Sequence, residues 1–141
     1  MRSNVRRWRR LAIFLRKNMI EVTLKTIVAS QDALKELSEF KPRGKFGYDA
    51  ARLVSQCTEA LDSFNTSRQN SIEAHGTYNE VEANYLFATE LAQKSVNKEI
   101  GDLLTATVTL NADQLSFDEL EKLNPTVGLM SALNWAIAPP A

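Results

Sequence analysis

The sequence predicts an α+β fold, mostly α: a long antiparallel helical hairpin with short helices and a two-stranded β-sheet. Three observations predict it. Apolar residues recur at spacings of three and four through most of residues 31–100, the period of a helix with one buried face. Two stretches alternate instead, Ile20–Thr26 ("IEVTLKT") and Leu103–Asn111 ("LLTATVTLN"), as a half-buried strand does. Pro42, Gly44, Gly47, Gly76, Gly101 and Pro125 fall between the patterned stretches, where they end elements.

Residues 5–19 can be drawn as a helix whose apolar seam is Val5, Trp8, Ala12, Leu15 and Met19, with arginines on the other faces. The first strand follows at Ile20. Ser30 then reads as the N-cap of a short helix lined by Ala33, Leu34, Leu37 and Phe40 and ended by Pro42. Gly44 and Gly47 read as a loose inter-helix turn. The longest helix carries Phe46, Ala50, Leu53, Cys57, Leu61, Phe64 and Ile72 on one seam and stops at Gly76. At 1.5 Å per residue such a rod is about 45 Å long. Its far end, Arg68 to His75, is therefore expected to project or to meet a partner. A third helix is expected from Asn79, with Glu82 as capping-box partner, through Val81, Tyr85, Ala88, Ala92, Val96 and Ile100 to Gly101. The short turn "HGTYN" would make the two long helices an α-hairpin. The second strand pairs with the first. Two short tail helices follow, one opened by Ser116 and Glu119, one around Leu129, Ala132, Leu133 and Trp135.

Composition narrows the chemistry. A chain of 141 residues with 44% hydrophobic and 24% charged residues suits one folded domain rather than a disordered one. One cysteine, Cys57, allows no internal disulfide. Cys57 and His75, the single histidine, are 18 residues apart, about 27 Å along one helix, so they do not form a nucleophile pair. Three or four such ligands make a zinc site, and the chain has two. "GKFGYD" lacks the spacing of a phosphate-binding loop. Lys41, Arg43, Lys45 and Arg52 read as a solvated basic corner. Carboxylates such as Glu80 and Glu82, or Asp118 and Glu119, lie too close in sequence to face each other across a cleft. No catalytic residue, metal or cofactor is expected.

The net charge of zero hides a split. Residues 1–18 carry seven of the 17 bases and no acid, leaving ten bases against 17 acids in the body, net −7. "RRWRRLAIFLRK" can be read three ways. The first is a leader upstream of a start at Met19, where the pattern changes. The second is a nucleic-acid arm, using Arg6, Arg7, Arg9, Arg10, Arg16 and Lys17 on phosphates and Trp8 for stacking. The third is a membrane-surface helix. The apolar run Leu11–Leu15 is too short for a signal peptide or a span. The expected organisation is a basic arm at 1–18, one domain at 19–137 and a tail at 138–141.

Three stretches carry a resemblance: "MIEVTLKTIVASQDALKEL", "YDAARLVSQCTEALDSFNTSRQNSIEAHG" and "LSFDELEKLNPTVGLMSALNWAI". Their order is similar to that in a family of small, uncharacterised bacteriophage and prophage proteins. The matching positions are Ala33–Leu34, Phe64 to Arg68, Gly76, and Ala132 to Trp135. The resemblance implies a phage-encoded protein in the host bacterial cytoplasm or the virion, and brings no catalytic residues. The expected function is non-enzymatic, through protein–protein contact or self-association, as an assembly or structural component or a host-directed inhibitor. Arg68, Ile72, His75 and Tyr78 are the expected interaction surface. The alternative is nucleic-acid binding through the arm.

Overall fold

The computed structural model describes residues 19–139. It is an α+β structure dominated by helix, with two small antiparallel sheets and one long helix. In chain order the elements are β1 (Ile20–Thr23), α1 (Leu24–Ala29), α2 (Gln31–Glu39), α3 (Gly44–His75), β2 (Thr77–Asn79) and β3 (Asn84–Leu86). They continue with α4 (Glu90–Leu104), β4 (Thr107–Leu110), α5 (Phe117–Glu121), α6 (Val127–Ala132) and a 3-10 turn at Asn134–Ala136.

The first and last expected strands do pair, Ile20 opposite Leu110 and Thr23 opposite Thr107, but both are shorter than the alternation suggests. Thr23 ends β1 because its hydroxyl accepts the Thr26 amide at 3.3 Å and so caps α1. Leu24, an outlying member of the alternating set, is buried all the same, now from a helix together with Ile27. At the other strand, Leu103 and Leu104 belong to the end of α4. Ser30 stands between α1 and α2 without capping through its side chain. It is buried, and its hydroxyl lies 2.7 Å from the Thr26 carbonyl and 3.2 Å from that of Ala132 while accepting the Trp135 indole N–H at 3.1 Å. That bond ties the start of the domain to its end. The tail is held as well, since Ala138 donates to the Leu115 carbonyl at 2.8 Å.

The core gathers around the first half of α3. Phe46, Ala50, Leu53 and Cys57 meet Ile20 and Val22 of β1, Ile27 of α1, Leu34 and Leu37 of α2, Leu110 of β4, and Leu115, Leu120, Leu129 and Leu133 of the tail. Gly44 and Gly47 are not loose-turn residues. Both lie in the first turn of α3, Gly44 at φ +68°, in the left-handed region that favours glycine. A Cβ at Gly47 would sit 2.3 Å from the Pro42 carbonyl oxygen. Glu36 of α2 binds the Thr126 hydroxyl at 2.8 Å and its amide at 3.2 Å, while that hydroxyl caps α6.

The main correction concerns residues 77–101. The two long helices run antiparallel, with His75 beside Glu99 and both Ser67 and Leu103 on one groove, but no short turn joins them. A β-hairpin intervenes, and the expected helix from Asn79 begins only at Glu90. Asn79 does act as a cap, its side chain accepting from the Val81 amide at 2.9 Å and the Glu82 amide at 3.3 Å. What it caps is the turn between β2 and β3, because Ala83 enters the left-handed region at φ +54° and reverses the chain. Val81, expected on a buried seam, is 95% exposed at that turn. The helix is capped by Thr89 and runs through Gly101 to Leu104.

Leu53→Ala is expected to lower the unfolding free energy by about 2–5 kcal/mol, since a fully buried leucine leaves a cavity. Gly47→Ala is expected to cost about 1–3 kcal/mol by driving Pro42 away from the helix. Urea titrations of both variants beside the parent measure these losses; an unchanged midpoint for either refutes the packing described for it.

Candidate interaction surface

Past Cys57, the second half of α3 leaves the main core. At 1.5 Å per residue the 32-residue helix is about 48 Å long, and the core uses the half nearest Gly44. Among the described residues beyond Cys57, α3 buries Phe64 and α4 buries Val96. The far end is covered by α4, and the β2–β3 hairpin reaches it through Tyr85. The Tyr85 hydroxyl donates to Glu73 at 3.3 Å and accepts from Gln69 at 3.1 Å. Loss of solvent around Tyr85 and the charge of Glu73 push its phenol above its ordinary range. Tyr78 stands opposite Tyr85 with ring centroids 5.3 Å apart, a tilted aromatic pair.

The four expected surface residues do not share one role. Arg68 and Tyr78 are exposed. Ile72, on α3, is half-buried. His75 is the last residue of α3 and bridges to α4, with Nε2 3.2 Å from Glu99 Oε1. The histidine hydrogen bond, helped by one from Ser71, holds the Glu99 carboxyl below its usual range. His75 therefore serves as a latch between the helices, and the apolar surface lies elsewhere. Val81 at the hairpin turn, Leu86 on β3 and Leu91 in the first turn of α4 join Tyr78 as exposed large hydrophobics. Three-residue strands span about 10 Å, so Tyr78, Val81 and Leu86 lie on one short hairpin, Tyr78 on the Tyr85 face, Leu86 on the other and Val81 at the turn. Tyr78 is among the expected surface residues, but the sequence hid Val81 because a helical period absorbed it into a buried seam.

The remaining candidates have structural roles. Lys45 pairs with Asp49 at 3.3 Å. Arg52 donates to the Asn111 carbonyl at 2.6 Å and to the Tyr48 hydroxyl at 3.2 Å, so the basic corner does not converge. Cys57 is fully buried in the core, and burial pushes its thiol up to about 12. No group of three or more metal-ligating side chains occurs among the described residues, and no helix there is long and apolar enough to cross a membrane. The basic arm, Arg6, Arg7, Trp8, Arg9, Arg10, Arg16 and Lys17, lies outside the described residues. No protein-family model, curated protein or solved structure matches the chain.

Cys57 yields a pH dependence of defined sign. Its folded value lies above its ordinary value of 9.0, so the neutral thiol contributes stability below pH 9.0 that is lost as pH rises toward about 12. The denaturation midpoint is expected to fall over that window more steeply than in Cys57→Ala. In the native protein the thiol is expected to resist an aromatic disulfide reagent until unfolding; rapid labelling of folded protein contradicts the burial.

Proposed function

We propose that the chain is a non-enzymatic protein that works through protein–protein contacts, self-association included, at the far end of α3. One observation carries this reading. Residues Tyr78 to Leu91 hold four exposed large hydrophobics on a hairpin and helix start that stand apart from the main core. Scattered apolar residues are ordinary on a surface; the concentration of three of these four within one short hairpin is what supports a contact site here. The likeness of residues 19–137 to small phage proteins supports a phage setting, as assembly factor, structural component or host-directed inhibitor.

A second reading rests on charge. Seven bases and no acid within residues 1–18 suit phosphate binding, with Trp8 available to stack. The affinity of such an arm for DNA falls steeply with added salt, so absence of binding at low salt removes this reading.

Light scattering tests the first reading. The full chain is expected to exceed the monomer mass of 15.8 kDa as concentration rises. The double variant Val81→Ser, Leu91→Ser is expected to shift the mass back toward the monomer without lowering the melting temperature, since both side chains are exposed. A strict monomer at every concentration removes the argument for self-association.

A further inference from the structure

A second surface, distinct from the α3 tip, lies along β4. The antiparallel register pairs Ile20 with Leu110 and Val22 with Val108, and Leu24 donates to the Ala106 carbonyl at 3.0 Å. Inward bonding therefore falls on the even-numbered residues of this ladder, because hydrogen-bonded and non-bonded pairs alternate. The amides and carbonyls of Thr107, Thr109 and Asn111 consequently point to the outer edge. At Asn111 this edge is satisfied by α3: the amide donates to Gln56 Oε1 at 3.3 Å, and the carbonyl accepts from Arg52 Nε at 2.6 Å. Two residues earlier, Thr109 presents the same two groups, and neither has a partner among the described residues.

Thr109 opens instead onto a groove of about 340 Å³ between β4 and α3. Its apolar walls are Leu24, Phe64, Leu103 and Val108, and α3 contributes Gln56, Glu59 and Ser63. That volume is within the range of about 300–1,000 Å³ typical of binding pockets. The edge lacks the usual protection, since Thr107–Leu110 carries no charge and no proline. Glu59 is the ionisable residue on its lining, within a body of net charge −7.

We propose that this groove takes an extended peptide segment of a partner protein, apolar at alternate positions and flanked by a basic residue. The segment pairs with Thr109 as a third strand and sets its basic residue against Glu59. A backbone edge supplies affinity in this mode, and alternate side chains in the apolar wall supply selectivity. A second copy of this chain does not fit as occupant. Arg52 and Gln56 hold α3 alongside this edge, so the corresponding edges of two copies are each screened by their own α3. A single extended segment brings no helix of its own and pairs at Thr109 short of Asn111, whose outward groups α3 already holds.

The test uses the full chain and a capped seven-residue peptide, KVTVTVK, as probe. Saturable binding measured by calorimetry, with slowed exchange of the Thr109 amide, is the expected result. A backbone N-methylated copy of the probe keeps its side chains and loses its donors, and is expected to bind about tenfold more weakly. Thr109→Pro removes the outward amide and spares the β1 ladder, with the same expected loss. Ser63→Trp fills the groove from α3 and is a second route to that loss; melting curves verify that both variants fold. Three results overturn the proposal. They are no saturation by about 1 mM probe, equal affinity for the N-methylated copy, and a Thr109 amide already protected in the unliganded chain. The last means that the chain itself or a second copy occupies the edge. None of these readouts depends on self-association at the α3 tip, so the two proposals fail independently.

Discussion

A 32-residue helix is longer than a domain of this size can surround, and that mismatch organises everything else. α3 spends its first half on the core, where Leu53 and Cys57 are fully buried among residues from both sheet strands, two short helices and the tail. The elements around that half are short, six residues in α1 and α6 and five in α5, too short to hold their shape in isolation. They persist because each delivers a side chain to the same rod: Ile27, Leu120 and Leu129 from these three. Caps by Thr23, Ser116 and Thr126 set their starting points, and the buried hydroxyl of Ser30 joins α1 to the chain's end through Trp135. The hydroxyl has a partner for both its donor and its acceptor roles, which is what lets a polar group sit at that depth without penalty.

The second half of α3 solves a different problem. Without a broad core it needs lateral cover, which α4 supplies by lying antiparallel to it. The link between the two helices is a hairpin and not a tight turn, and this too has a physical basis. A Cβ at Gly76 would meet the Phe87 ring at 2.9 Å, so the chain after β3 passes close over the end of α3. Tyr85, on the same face of β3 as Phe87, reaches Glu73 and Gln69 of α3. The hairpin is therefore a flap folded onto the helix end, with His75–Glu99 closing the adjoining edge. Of the tyrosine face only Tyr85 is drawn onto α3; Tyr78 stays exposed, Leu86 emerges on the other face of the ribbon and Val81 at its turn.

How much of this was legible follows from which forces were local. The α2 helix, the long helix and the pairing of the first and last strands follow from apolar period and from proline or glycine stops, both written in the sequence. The early end of β1 was not legible, because Leu24 satisfies a strand period and a helix start equally, and only the Thr23 cap decides between them. Residues 79–88 failed for a related reason. Asn79 with Glu82 reads as a capping box, yet Asn79 caps a turn equally well, and the reversal at Ala83 comes from a non-glycine residue with positive φ that composition does not announce. The expected interaction residues shared that fate: Ile72 and His75 are half-buried, and the exposed large hydrophobics nearby include Val81 and Leu91. The β4 groove was out of reach altogether, since it exists only once α3 and β4 are placed side by side.

The two outer edges of the β1–β4 sheet also differ in how they are treated. β1 carries Glu21, a charged residue of the kind that discourages pairing, at an outward-bonding position of its edge away from β4. β4 has threonine at the equivalent positions, and its protection comes from α3 instead. That cover is uneven. Arg52 and Gln56 reach Asn111, and the next outward turn of α3, at Glu59 and Ser63, leaves Thr109 across a groove. The gap is a consequence of geometry, because a straight helix and a twisted strand diverge along their lengths. Sealing it would take longer side chains than serine and alanine at Ser63 and Ala60. Short residues at those positions keep apolar wall and backbone edge accessible together, the combination that strand addition requires.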